Sequence, residues 1–93
     1  MSDVSRTVVV GSRVGLHARP AKLVAQEAAK LAVIVKISKN NGTAVEARSL
    51  LSILALGAKK GDEVTLSAEG EGADDAIQTL AALIEQDLDE ADV

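Results

Sequence analysis

The spacing of hydrophobic residues changes along this chain between two periods, and the order of the changes limits the folds available to it. Segments 4–10, 33–39 and 63–68 are rich in β-branched residues or alternate between apolar and polar positions, as strands do. Segments 20–31 and 73–88 place apolar residues three and four positions apart, as helices do. The order of these segments therefore excludes a helical bundle.

Turn and capping residues complete this pattern. The Asn-Asn-Gly sequence at 40–42 predicts a hairpin turn, so that 43–47 is the returning strand. Ser49 is a good helix N-cap residue and Gly57 a good helix end, which predicts a short helix between them. The order β-α-β-β-α-β-α predicts an α+β fold: a two-layer open-faced sandwich with a four-stranded antiparallel sheet and three helices on one face.

Length and composition narrow the functional classes. The 93 residues predict a single domain, 1–93, of which 89–93 form a frayed acidic tail. The chain has no aromatic residue to stack on bases, and its net charge of −4 disfavours binding to nucleic acid. With no cysteine and one histidine, the composition excludes a thiolate metal site and a multi-histidine metal site within the chain. No signal peptide or membrane-spanning run is visible, which predicts a cytoplasmic protein without membrane insertion.

The most informative segment is GLHARPA, residues 15–21. Pro20 suits a first helical turn, so we expect the helix to begin near Ala18 or Arg19. A helix start offers free N–H donors, and the guanidinium of Arg19 matches phosphate oxygens. The imidazole of His17 is therefore well placed to receive a phosphoryl group. On spacing alone, a surface or capping histidine and a general base of a small hydrolase remain alternatives, although no G-x-S-x-G motif is present.

GLHARPA resembles the active-site signature of the HPr family, the histidine-containing phosphocarriers of the bacterial phosphoenolpyruvate–sugar phosphotransferase system. Segments 48–57 and 61–70 resemble the family's regulatory-serine helix and its fourth strand. The resemblance implies that Nδ1 of His17 accepts a phosphoryl group from enzyme I and passes it to IIA domains of sugar permeases, and that Arg19 steadies the group in transfer. It implies a carrier rather than an enzyme, without a bound metal or organic cofactor. We expect a monomer.

The short helix has more apolar surface than one sheet can cover. Its leucines and isoleucine span an arc wider than the stripe that a packed helix buries. We expect Ile53 and Leu56 in the core and some of Leu50, Leu51 and Leu54 exposed; the alternative is that side chains of the first helix or of the following loop cover these leucines. An exposed apolar cluster suggests a docking surface. The resemblance implies that enzyme I and IIA domains dock on this helix.

Polar residues near this helix have two interpretations each. Ser49 caps the helix, and the resemblance adds that an HPr kinase phosphorylates a serine at this place in some bacteria. Arg13, Lys22 and Arg48 are solvated charges or, together, a basic rim around His17 that steers acidic partners. A paralogue in a regulatory phosphotransfer chain, or an interaction module that binds a transcriptional regulator, remains an alternative.

Overall fold

The computed structural model describes residues 3–11, 18–39 and 42–85, and for 3 and 18–20 it describes the backbone only. In these ranges the elements are β1 (Asp3–Val9), α1 (Ala18–Lys30), β2 (Lys36–Lys39), β3 (Val45–Glu46), α2 (Leu50–Leu56), β4 (Glu63–Glu69) and α3 (Ala73–Glu85). This order confirms the predicted β-α-β-β-α-β-α arrangement. No helix in the described ranges is long and apolar enough to cross a membrane.

The four strands form one antiparallel sheet in the order β1-β4-β2-β3. The register pairs Thr7 with Thr65, and their hydroxyl groups lie 3.0 Å apart. Helix α3 packs on β1 and β4, α2 packs on β2 and β3, and α1 packs against both other helices. The predicted open-faced sandwich is therefore confirmed, and α1 and α2, which carry the candidate site residues, are neighbours.

The core is aliphatic, as a chain without aromatic residues requires. Branched side chains from the sheet and from all three helices form one buried cluster there. The burial of such side chains is the main favourable contribution to the free energy of folding. The largest of these fully buried side chains are Val10, Val24, Ile37, Ile53, Val64, Leu66, Ile77, Leu80 and Ile84.

Two strand predictions were too long. The second strand begins at Lys36 rather than at 33, and the third comprises Val45–Glu46 rather than 43–47. Val35 and Ile37 are nevertheless both buried, as the alternation predicted. Alternation records which side chains face the core, whereas a strand extends only as far as its hydrogen bonds to a neighbour. Residues 40 and 41 of the predicted turn, 86–88 of the last helix and the predicted tail 89–93 lie outside the described residues.

Candidate functional site

Helix α1 begins at Ala18, as predicted, so that His17 directly precedes a helix in the sequence. His17 and Arg13 lie outside the described residues; Arg19 is the second residue of α1, and its side chain is also outside. The first turn of α1 contains no acidic residue. No side chain within that turn therefore offsets the partial positive charge at the start of α1. This partial charge favours an anion next to the helix start.

The chain is fixed on both sides of residues 12–17. Before them, the Val10 amide donates to the Asp62 carbonyl oxygen and the Gly11 amide donates to the Ile84 carbonyl oxygen, both at 3.0 Å. After them, α1 is held in the core by Ala21 and Val24, which are fully buried. The core thus determines where the segment that contains His17 starts and ends.

Both predicted caps of α2 are present. Ser49 has extended backbone angles, and its Oγ accepts a hydrogen bond from the Ser52 amide at 3.3 Å. Gly57 has a φ of 65°, in the left-handed region that glycine adopts without strain, and its amide donates to the Leu54 carbonyl oxygen. The two capping predictions are confirmed; the regulatory role of Ser49 stays a prediction.

The exposure expected on α2 is confirmed. Leu51 is 79% exposed, while Leu50 and Leu54 are 37% and 36% exposed. Ile53 is fully buried and Leu56 packs partly buried against the core. We call Leu50, Leu51 and Leu54 the leucine patch. The side chains that face the sheet are thus separated from those available to a partner, and docking on the patch stays a prediction.

The described cations of the predicted rim differ in their contacts. Lys22 is exposed on α1. Arg48 is exposed too, but its Nε donates to Oε1 of Glu46 at 2.9 Å. Glu46 was not among the predicted site residues, because side chains two positions apart in sequence meet only when the turn after β3 brings them together. The carboxylate of Glu46 offsets part of the positive charge that Arg48 was expected to contribute.

A second ionic cluster, also missed, joins α2 to the turn before β4. Nζ of Lys39 donates to the Gly57 carbonyl oxygen at 3.2 Å and lies 3.5 Å from Oδ2 of Asp62. The hydrogen bond from the Lys59 amide, and then the charge of Lys39, hold the pKa of Asp62 below its usual value. No group of three His, Cys, Asp or Glu side chains in the described ranges is placed to hold a metal ion.

Comparisons with known proteins agree with this arrangement. The model of the PTS HPr component phosphorylation site family matches residues 4–86. Phosphocarrier protein HPr of Streptomyces coelicolor is 44% identical over 85 residues, which are 91% of each chain. The structure of HPr from Bacillus anthracis superposes with a TM-score of 0.85 at 36% identity, covering 90% of this chain and 99% of that one. Crh of Bacillus subtilis, a catabolite repression protein described as a dimer with a swapping domain, gives a TM-score of 0.69 at 38% identity, covering 88% and 93%.

Proposed function

This chain belongs to the HPr family of phosphocarriers of the phosphotransferase system, and from that premise we propose that His17 is the residue that carries the phosphoryl group. Proteins of this family are carriers rather than enzymes. The support for His17 is the GLHARPA signature together with the start of α1 at Ala18, one residue later.

The transfer step needs a neutral imidazole. The lone pair on Nδ1 of His17 attacks the phosphorus atom carried by phosphorylated enzyme I. As the new N–P bond forms, the bond to the donor group breaks and its electron pair leaves with that group. The same step then runs onward, with His17 as the donor and the IIA domain of a sugar permease as the acceptor. The positive end of α1 favours the neutral form of the ring before transfer.

The negative charge on the phosphoryl group is stabilised by groups at the start of α1. The first-turn amides act as donors, and Arg19 supplies a permanent cation with several N–H groups. Arg19 thus lowers the barrier for transfer rather than the dissociation constant of the partner. No cofactor is needed, because the group comes already activated on the donor.

Docking uses the surface beside this site. We assign the leucine patch to apolar contact with enzyme I and IIA domains, and Lys22 and Arg48, with Arg13, to the attraction of acidic groups on them. The acting form is a single cytoplasmic domain, 1–93, in the monomeric state. Light scattering of the free protein tests that state.

Ser49 is the regulatory position. Its side chain is partly exposed and already serves as the α2 cap. A phosphoryl group placed there by an HPr kinase adds negative charge directly before Leu50, where partner binding requires an apolar surface. Phosphorylation of Ser49 therefore weakens docking of enzyme I without touching His17.

A regulatory role is the second candidate, and the similarity to Crh favours it. In that case the leucine patch binds a transcriptional regulator, and a dedicated donor replaces enzyme I of the sugar system. The two candidates differ in whether enzyme I of the same organism transfers a phosphoryl group to this chain.

The test is the intact mass of the wild type and of His17→Ala after incubation with phosphoenolpyruvate and enzyme I. We expect one added phosphoryl group on the wild type only, lost in acid and retained in alkali, as for a phosphohistidine. Acid-stable labelling points to a serine instead. Labelling of His17→Ala contradicts the assignment of His17, and an unlabelled wild type with active enzyme I favours the regulatory candidate.

A further inference from the structure

Helix α2 depends on contacts at its ends for its position. It has seven residues, and isolated helices shorter than about 12 residues are marginal in water. Ile53 is its only fully buried side chain. Ser49 caps the N-terminal end, whereas the C-terminal end is held by a residue from the sheet.

That residue is Lys39, at the end of β2. Its Nζ donates to the carbonyl oxygen of Gly57, the residue that caps the C-terminal end of α2, and pairs with Oδ2 of Asp62. The side chains of Lys39 and Asp62 are only 29% and 30% exposed, so water and salt screen this pair less than a pair on an open surface. Lys39 therefore joins the end of α2 to the turn before β4.

Asp62 extends these contacts to Val10, directly after the end of β1. Its Oδ2 also accepts from the Lys59 amide at 2.9 Å, and its carbonyl oxygen accepts from the Val10 amide at 3.0 Å. The Val10 carbonyl oxygen accepts in turn from the Gly61 amide at 3.0 Å. Because 12–17 begin two positions after Val10, one series of contacts connects the end of α2 with the strand that leads into the segment containing the phosphoryl acceptor.

We infer that Lys39 is a positioning residue that fixes the leucine patch relative to Val10, from which the chain continues into the segment that contains His17. The inference rests on the proposed function, in which a partner docks on the patch while its reacting group reaches His17. Both contacts must be made at once, so a surface held in the correct place binds with less loss of conformational freedom. Without the ammonium group of Lys39, the end of α2 loses its connection to the turn, and docking weakens.

The test compares Lys39→Met with Lys36→Met, which removes an ammonium group from the same strand. Lys36 is exposed, and its partners in the sheet register are Glu46 and Ser67. The donor is enzyme I phosphorylated by phosphoenolpyruvate. Loss of docking alone raises KM and spares kcat, so we expect KM for Lys39→Met to rise about five-fold, with kcat within about two-fold of wild type. Lys36→Met is expected near wild type, and Lys39→Arg restores KM.

An unchanged KM for folded Lys39→Met overturns the inference, as does an equal rise of KM for Lys36→Met.

Asp62→Asn removes the ion pair of Lys39 with Asp62 by replacing the carboxylate instead of the ammonium group. The KM of the double variant, which combines Asp62→Asn with Lys39→Met, should be no higher than that of the single variant with the higher KM, because the two side chains act as a unit. Additive losses contradict that.

Failure of the proposed function can be told apart from failure of this inference, because in the former case the wild type itself accepts no phosphoryl group.

Amide hydrogen exchange in the free protein tests the contact of Lys39 with the end of α2 without any partner. We expect the amides of Leu54 and Gly57 to exchange faster in Lys39→Met than in Lys36→Met, while α3 is unchanged. Equal exchange rates in the two variants contradict a role of Lys39 in holding α2.

Discussion

Nε of Arg48 lies 2.9 Å from Oε1 of Glu46, and Arg48 directly precedes the capping residue Ser49. The two side chains are 51% and 43% exposed. Ion pairs as exposed as this one contribute about 0–1 kcal/mol to the free energy of unfolding. Exchanging Glu46 for a carboxylate of another protein would therefore cost little free energy. The positive charge of Arg48 is thus partly offset by a carboxylate of its own chain.

Replacing Glu46 with Gln should therefore strengthen attraction of an acidic partner. We expect the association rate constant with enzyme I to rise about two-fold to five-fold at low salt, and the difference to fade as added salt screens the charge. Stopped-flow binding measures it. Glu27→Gln is the matched control, since it makes the same charge change on α1, where Glu27 pairs with Lys30. An equal gain in that control would show an effect of net charge alone.

Leu51→Glu should weaken docking without harming the fold. At 79% exposure the side chain contributes little to the core, so a charge there leaves the unfolding free energy near wild type. In a docked complex the same charge loses its water, and we expect the affinity for enzyme I to fall about ten-fold or more by calorimetry. Ala82→Glu, at an exposed position of α3, is the control. Unchanged affinity for Leu51→Glu would mean that partners dock elsewhere.

Two variants of Ser49 separate its role as the cap of α2 from the effect of a negative charge at this position. Ser49→Ala leaves the Ser52 amide without its acceptor, which costs about 1 kcal/mol of unfolding free energy by urea denaturation. Ser49→Asp keeps an acceptor and should remain near wild-type stability. Its negative charge beside the leucine patch should nevertheless weaken binding of enzyme I. Normal binding by a stable Ser49→Asp would argue against regulation at this position.

Arg19 and Lys22 should affect different steps. Arg19→Ala removes stabilisation of the phosphoryl group during transfer, so we expect the single-turnover rate at saturating donor to fall about 100-fold. Lys22→Ala should leave that rate unchanged and weaken association, more so at low salt. Rapid-quench kinetics separates the two effects. A loss for Arg19→Ala that is confined to binding affinity would assign it to docking.

The lowered pKa of Asp62 makes the free energy of unfolding depend on pH in the acid range. Its pKa lies below the usual 3.8, chiefly because the Lys59 amide donates to the carboxylate and secondarily because Lys39 is near. A depressed folded-state pKa adds stability that is present above the unfolded value and is lost as the pH falls below it. In Asp62→Asn, the decline of the thermal midpoint below about pH 4 should therefore be shallower than in wild type. Parallel curves would rule out this contribution.

Much of this architecture could be predicted because it depends on neighbours in the sequence. Apolar spacing gave the element order, and the arc on α2 correctly separated Ile53 from the exposed Leu51. The capping roles of Ser49 and Gly57 followed from their own backbone and side-chain chemistry. The candidate site, by contrast, came from the resemblance of GLHARPA to a known signature rather than from spacing.

Interactions between distant residues could not be predicted in this way. Lys39 and Gly57 are 18 positions apart, and they meet only because α2 packs beside β2. The same holds for the length of the strands: the alternation over 33–39 and the turn before 43–47 did not reveal that only Lys36–Lys39 and Val45–Glu46 form strands.

The sequence by itself therefore determined the element types, the helix caps, the aliphatic core and the family. The tertiary structure decided the sheet order, the extent of each strand, the pairing of Arg48 with Glu46, and the contact of Lys39 with the end of α2. The physical reason is that periodicity and capping are local, whereas hydrogen bonds and ion pairs between elements depend on where packing places those elements in space.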